Sequence, residues 1–180
     1  MIKDFSVTPR PKNKNAIIMM SAFFVLTAIS LIISIFITRY KGVVGMITLL
    51  SLTTAILIFT KYVSVTFHYD ILAEGMEEPL FVVRQTVGKR DVTLCRIALA
   101  DINRIEKESA QVRRAHKTAA GVARYNYTPT LFPSESHRLF VSSRYEKAEI
   151  VLEISDEFEK MLTALICEAR QARAENSDDE

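Results

Sequence analysis

Between Ala16 and Thr60 the only charged residues are Arg39 and Lys41, and they fall almost side by side. Nothing else in the chain restricts its fold as much, because a long run without charge belongs in a bilayer rather than on the surface of a soluble domain. Ala16 to Thr38 is 23 residues with no charge, Pro, Asn or Gln. As a helix it is about 35 Å long, against a hydrocarbon thickness of roughly 30 Å. Val43 to Thr60 supplies another 18 residues, about 27 Å, and gains reach if Lys61 snorkels and Tyr62 lies among headgroups. The segment between them, Arg39-Tyr40-Lys41-Gly42, is short, polar and ends in Gly, which suits a tight link between antiparallel helices. The sequence predicts a transmembrane hairpin over 16–61, with spans 16–38 and 43–60, behind a basic tail at 1–15.

A cleaved signal peptide is the competing reading of Lys3, Arg10, Lys12 and Lys14 ahead of an apolar run. The run is too long for a signal core, lacks an A-x-A cleavage pattern and is followed by a second span. Those four basic residues and Lys61 outweigh Arg39 and Lys41, so both termini are expected in the cytoplasm. Neither span contains an ionisable or amide side chain, so anchoring is expected rather than conduction or transport. Thr27, Ser30 and Ser34 in the first span, and Thr48, Ser51 and Ala55 in the second, form small-residue stripes that let helices approach closely. The expected use is packing of one span on the other, with a second copy of the chain as the alternative.

After Lys61 the chain has 119 of its 180 residues, enough for one domain with one core. Val63, Val65, Phe67, Tyr69 and Ile71 alternate with polar residues, as a half-buried strand does. Leu80 to Val87 and Val92 to Ile97 read as a hairpin around Gly88-Lys89-Arg90-Asp91, after a turn at 74–79. Leu99, Ile102 and Ile105 suggest a fourth strand with an irregular start, and Glu106 to Gly121 reads as a long loop with a helical turn. Val122 to Tyr127, His137 to Ser143 and Lys147 to Ile154 complete seven strands. Ser155 is a good N-cap, Asp156, Glu157 and Glu159 suit a helix N-terminus, and Phe158, Met161, Leu162, Leu165, Ile166 and Ala169 form one apolar stripe. The acidic end, 175–180, is expected to be disordered.

Seven short antiparallel strands followed by one amphipathic helix predict an α+β chain whose soluble part, 62–174, is a PH-like antiparallel barrel or sandwich capped by its C-terminal helix. In the order of its parts, in Val87-Gly88-Lys89-Arg90, in Ile97-Ala98-Leu99-Ala100-Asp101-Ile102 and in the run from Ile150 to Leu162, the chain resembles small bacterial membrane proteins with two N-terminal spans and a bacterial PH-like domain. The resemblance implies a multi-pass cell-membrane protein with that domain in the cytoplasm. It transfers no catalytic residue.

Little in the sequence points to chemistry. His68, His116 and His137 have no spacing that places two on one face, and Cys95 and Cys167 form neither a disulfide framework nor a zinc pattern. His68 falls on the polar face of its strand. Cys95 reads as a small packing residue, with Arg90 and Arg96 near enough to leave a weak redox alternative. No phosphate loop, dinucleotide fingerprint, nucleophile elbow or HExxH helix occurs, so no enzyme and no cofactor are expected. The segment after Lys61 carries 16 Lys/Arg against 20 Asp/Glu, which disfavours nucleic acid. Two basic groups remain as anionic-lipid candidates: Lys89 and Arg90 in the hairpin turn, and Arg113, Arg114 and Lys117 in the long loop. The expected function is a non-enzymatic protein-interaction or scaffolding adaptor held at the membrane, whose partner is a protein or a second copy of the chain. The alternative is a sensor of acidic phospholipid that uses the loop 113–117.

Overall fold

A computed structural model describes residues 4–9, 14–36, 40–73, 78–143 and 147–178. Lys3, Arg10, Lys12, Arg39 and most of the turn expected at 74–79 lie outside them. The chain forms two compact units, one of residues 11–65 and one that joins residues 1–10 to 66–180.

The first unit is a helical hairpin. Helix α1 spans Lys14–Phe36 and helix α2 Lys41–Ile58, after which the chain runs through a wider turn, Phe59–Val63, closed by the Ser64 amide on the Phe59 carbonyl at 3.0 Å. Both helices are long and apolar enough to cross a membrane. Large apolar side chains such as Leu31, Ile35, Leu49 and Leu57 face outward, whereas the buried positions are Ala16, Thr27 and Ser30 on α1 and Ser51, Ala55 and Ile58 on α2. That is the reverse of a soluble helix pair, and it is the arrangement lipid requires: small residues at the seam and apolar bulk outside. Ser30 Oγ lies 2.8 Å from Thr48 Oγ1, and the Ser51 hydroxyl donates to the Phe23 carbonyl at 2.8 Å. The small-residue stripes pack within one chain, as expected.

The second unit contains two four-stranded sheets and a long helix. Its strands are β1 (Phe5–Val7), β2 (Val65–Leu72), β3 (Leu80–Val87), β4 (Arg90–Ala98), β5 (Ile102–Ser109), β6 (Ala123–Asn126), β7 (Glu135–Ser142) and β8 (Lys147–Leu152). The sheets run β1-β2-β3-β4 and β5-β7-β8-β6. All seven strands read from the sequence are present, and β1 is an eighth, drawn from the basic tail. It pairs antiparallel with β2, Ser6 opposite Asp70, while Asp4 Oδ1 accepts the Ala73 amide and Thr8 Oγ1 meets His68 Nδ1, each at 2.8 Å. Three residues with one half-buried side chain carry no legible strand period, so only the partner edge reveals them.

Two expectations need correction. The sheets are not closed into a barrel: β4 ends one sheet and β6 ends the other. The strands are not all antiparallel either, since β6 pairs parallel with β8. The connection over 127–134 passes the end of β8 to reach β7, which runs antiparallel to β8, so β6 and β8 point the same way.

Part of the expected loop over 106–121 is ordered. Strand β5 extends to Ser109, whose hydroxyl accepts the Val112 amide at 3.5 Å to start a short helix, α3 (Ala110–Ala115). The C-terminal helix, α4 (Asp156–Asp178), is capped by Ser155 Oγ, which accepts the Phe158 amide at 3.2 Å, and it runs on into the acidic end. Phe158, Leu162, Ile166 and Ala169 are its buried face, while Leu165 is half-buried. Phe158 stacks on Phe5 at 6.0 Å, and Arg170 and Arg173 hold the Ile102 carbonyl and Asp101. The helix therefore touches both sheets, above a core of Tyr69, Phe81, Leu99, Ile102, Leu139, Ile150 and Leu152.

Candidate functional site

The five basic candidates do not form one surface. Gly88, at φ +62°, makes the tight turn between β3 and β4 that presents Lys89 and Arg90 to solvent, with the turn braced by Thr86 Oγ1 donating to Asp91 at 2.6 Å. Arg113, Arg114 and Lys117 belong to the second sheet, on α3 and the loop after it. There Arg113 turns inward: its guanidinium donates to Ser136 Oγ and to the Pro133 carbonyl, both at 3.0 Å. Arg114 and Lys117 stay exposed.

What Arg113 fastens is a cover on the outer face of the second sheet. Strand alternation puts Ser136, Arg138 and Phe140 on the face opposite His137, Leu139 and Val141. A sheet face beside solvent should leave Arg138 exposed, yet its side chain is 3 % exposed, and those of Glu108 and Glu149 are 4 % and 5 %. Arg138 pairs with Glu108 and stands 3.7 Å from Glu149, which also meets His116 Nε2 at 3.0 Å. Ser136 donates to Glu108 at 3.3 Å. Two carboxylates share one guanidinium, and the segment carrying α3 and His116 lies over them. This network adjoins a cleft of about 410 Å³ lined by Arg104, Lys117, Phe140 and Lys147.

A second concave feature follows from the failure of the sheets to close. Between the ends of β4 and β6 lies a cleft of about 350 Å³, lined by Cys95, Arg96 and Ile97 on one side, Tyr125 and Tyr127 on the other, and Ile150 on β8. Both bordering strands have a sheet neighbour on one side only. A shift of register between Val83 and Arg84 bends the β3–β4 ladder, as a bulge does by raising local twist. Tyr125 and Tyr127 stack at 6.1 Å, and the Tyr127 amide bonds to the Val151 carbonyl at 3.0 Å. The cleft thus has an aromatic wall.

Burial pushes the Cys95 thiol up to about 11 and the Tyr127 phenol up to about 12, so both are neutral near pH 7. Burial is the larger influence on the Cys95 thiol, opposed by a backbone hydrogen bond at Val83, and neither Arg90 nor Arg96 is among the causes of its shift. Tyr69, deeper in the core, is likewise raised by burial, and its hydroxyl donates to the Tyr127 carbonyl at 2.8 Å. Asp70 on β2 behaves differently: burial, the largest single influence, would raise it, but the hydrogen bonds from Arg84 and Ser6 together with the Arg84 charge outweigh that and hold the carboxyl below its ordinary range.

Neither the buried network nor the cleft was visible as a site in the sequence. The only hint was a charged residue in the middle of a strand, Arg138, opposite a loop rich in His and Arg. His68, placed on a polar strand face, is half-buried beside Thr8. No protein-family model matches the chain, and no curated protein is significantly similar to it in sequence.

Proposed function

We propose that this chain is a membrane-anchored, non-enzymatic interaction module whose PH-like unit receives an extended segment of another polypeptide along the open edge between β4 and β6. One observation carries this reading: two sheet ends that could have joined instead flank a cleft of about 350 Å³ with an aromatic wall. An unpaired strand edge offers a row of backbone donors and acceptors, and an added strand gains main-chain hydrogen bonds while its side chains enter the cleft. The PH-like assignment is supported by the order of parts, two four-stranded sheets followed by a single helix that touches both. Membrane attachment is supported by the two apolar helices with their large side chains outward.

The same reading places both flanks of the hairpin on the cytoplasmic side. Strand β1 precedes α1 and β2 follows α2, and the two pair in one sheet, so they share one side of any bilayer the hairpin crosses. The excess of Lys and Arg on those flanks over the Arg39-Tyr40-Lys41 connection favours the cytoplasm. A tether that holds the module near membrane partners raises their effective concentration to roughly the millimolar range, so a weak edge contact is sufficient.

Site-specific photocross-linking of the full chain in intact cells tests the proposal. A photoreactive residue at Val92 on β4 or at Tyr125 on β6, both exposed, should trap the same protein. One at Glu168, on the exposed face of α4, should not. Adducts to lipid alone from both edges would overturn the proposal. So would salt-sensitive binding of acidic vesicles by the chain in neutral nanodiscs that is lost in the Arg114→Ala, Lys117→Ala double variant, a result that promotes the phospholipid-sensor alternative.

A further inference from the structure

We infer that His137, Asp156 and Glu159 form a binding site for a first-row divalent transition metal of the Zn²⁺ class, which would clamp the N-terminus of α4 onto the second sheet. One ligand atom from each of the three residues can be chosen so that all lie within 4.8 Å of one another. His137 Nε2 is 3.2 Å from Glu159 Oε2 and 4.0 Å from Asp156 Oδ1. Ligands on a tetrahedral zinc sit about 2.0–2.2 Å from the ion, hence roughly 3.3 Å from each other. The His137–Glu159 pair already has that separation, and a rotation of the exposed Asp156 side chain brings the third atom in.

The independent observation is the state of the imidazole. The His137 side chain is 2 % exposed, and neither ring nitrogen makes a hydrogen bond. A buried ring nitrogen without a hydrogen bond is costly, and Nε2 is aimed at the two carboxylates. A cation coordinated by Nε2 and by both carboxylates satisfies that nitrogen and the carboxylates together.

The local fold explains why these groups meet. His137 stands opposite Lys107 of β5 and Leu152 of β8 in the sheet register, and Asp156 and Glu159, three residues apart in the first turn of α4, share the helix face above it. Lys107 Nζ reaches Asp156 Oδ1 at 2.8 Å and Glu135 Oε2 at 3.0 Å. Asp156 and Glu135 therefore share one ammonium, and Glu159 adds a further carboxylate beside Asp156, an excess of negative charge that a divalent ion balances. Lys107 occupies one oxygen of Asp156, which leaves the second for the metal. The imidazole selects Zn²⁺ and its neighbours over Mg²⁺ or Ca²⁺, which prefer oxygen ligands alone.

Zn²⁺ titrated into the full chain in detergent micelles, with any purification tag removed, tests the site by calorimetry and by thermal unfolding. One ion per chain should bind and raise the melting temperature. Glu159→Gln, at the partly exposed edge of the site, should keep the metal-free melting temperature and weaken Zn²⁺ at least tenfold. Asp156→Asn should act in the same direction, and His137→Gln should abolish binding. Because His137→Gln changes a buried group and can impair folding, Glu159→Gln is the deciding variant. The inference fails if no saturable binding occurs, if Glu159→Gln binds Zn²⁺ as tightly as the wild type, or if Mg²⁺ at equal concentration gives the same thermal shift.

Discussion

The seam of the α1–α2 hairpin and the outer face of the second sheet both bury polar groups, and they satisfy them in opposite ways. In the hairpin the polar groups are hydroxyls. Thr27 and Thr48 donate to the carbonyls four residues earlier on their own helices, at 2.8 and 2.9 Å, so each is satisfied before the helices meet. The contacts between helices, Ser30 to Thr48 and Ser51 to the Phe23 carbonyl, come afterwards. On the sheet the groups are full charges. Arg138 has no local counter-ion among the described residues, and Glu108 and Glu149, which it needs, arrive on β5 and β8. A hydroxyl that loses its neighbour falls back on its own backbone, whereas a buried charge that loses its counter-ion has nothing to fall back on. The sheet face is therefore the brittle region and the helical seam the tolerant one.

The most severe way to break this contrast is Arg138→Met in the full chain. It leaves Glu108 and Glu149 buried without their shared cation and should cost about 3–5 kcal/mol, read as a large drop in denaturation midpoint. Adding Glu108→Gln and Glu149→Gln to the same chain should recover much of the loss, because the penalty lies in the stranded charges rather than in the missing pair. A single variant that unfolds like the wild type would show that water reaches these carboxylates.

An intermediate effect is expected at Asp70, where a buried carboxylate is paired with the half-exposed Arg84. Its pKa is held below the ordinary 3.8 in the fold, so the unfolded chain takes up the proton first as pH falls. The stabilisation is complete well above pH 3.8 and is lost as pH drops through the lower folded value. Asp70→Asn should cost about 1–3 kcal/mol at neutral pH. The gap between the two unfolding curves should stay constant down to about pH 5 and then narrow. A gap that widened toward acid would reverse the assigned sign.

The smallest effect is expected at Ser51→Ala in the hairpin, about 0.6 kcal/mol, typical of hydrogen bonds between membrane helices. Unfolding of the full chain in mixed micelles, or disulfide trapping across the seam, would resolve it. A loss as large as that of Arg138→Met would remove the distinction drawn between the two regions.

How much could be read beforehand depends on how far apart the cooperating residues are. The two spans, the β3–β4 hairpin around Gly88 and the apolar stripe Phe158, Leu162, Ile166 and Ala169 were legible, because each is a period or a turn signal within a few residues of itself. The basic loop was legible as charge but not as geometry. Its sequence offers Arg113, Arg114 and Lys117 on equal terms, and only the covered sheet face beneath decides that Arg113 points inward to Ser136 and Pro133.

From the sequence alone came the helical hairpin, seven of the strands and the final helix, since burial of apolar surface imposes a period that a single segment displays by itself. Tertiary structure alone decided that Phe5–Val7 adds an edge to β2, that β6 runs parallel to β8, and that the sheets stop short of closing between β4 and β6. It also decided that His137 lies under Asp156 and Glu159 while the adjacent Arg138 is sealed between Glu108 and Glu149 on the other face. Hydrogen bonds and ion pairs satisfy particular atoms, and partners separated by many residues leave no repeating trace in the chain from which their pairing could be read.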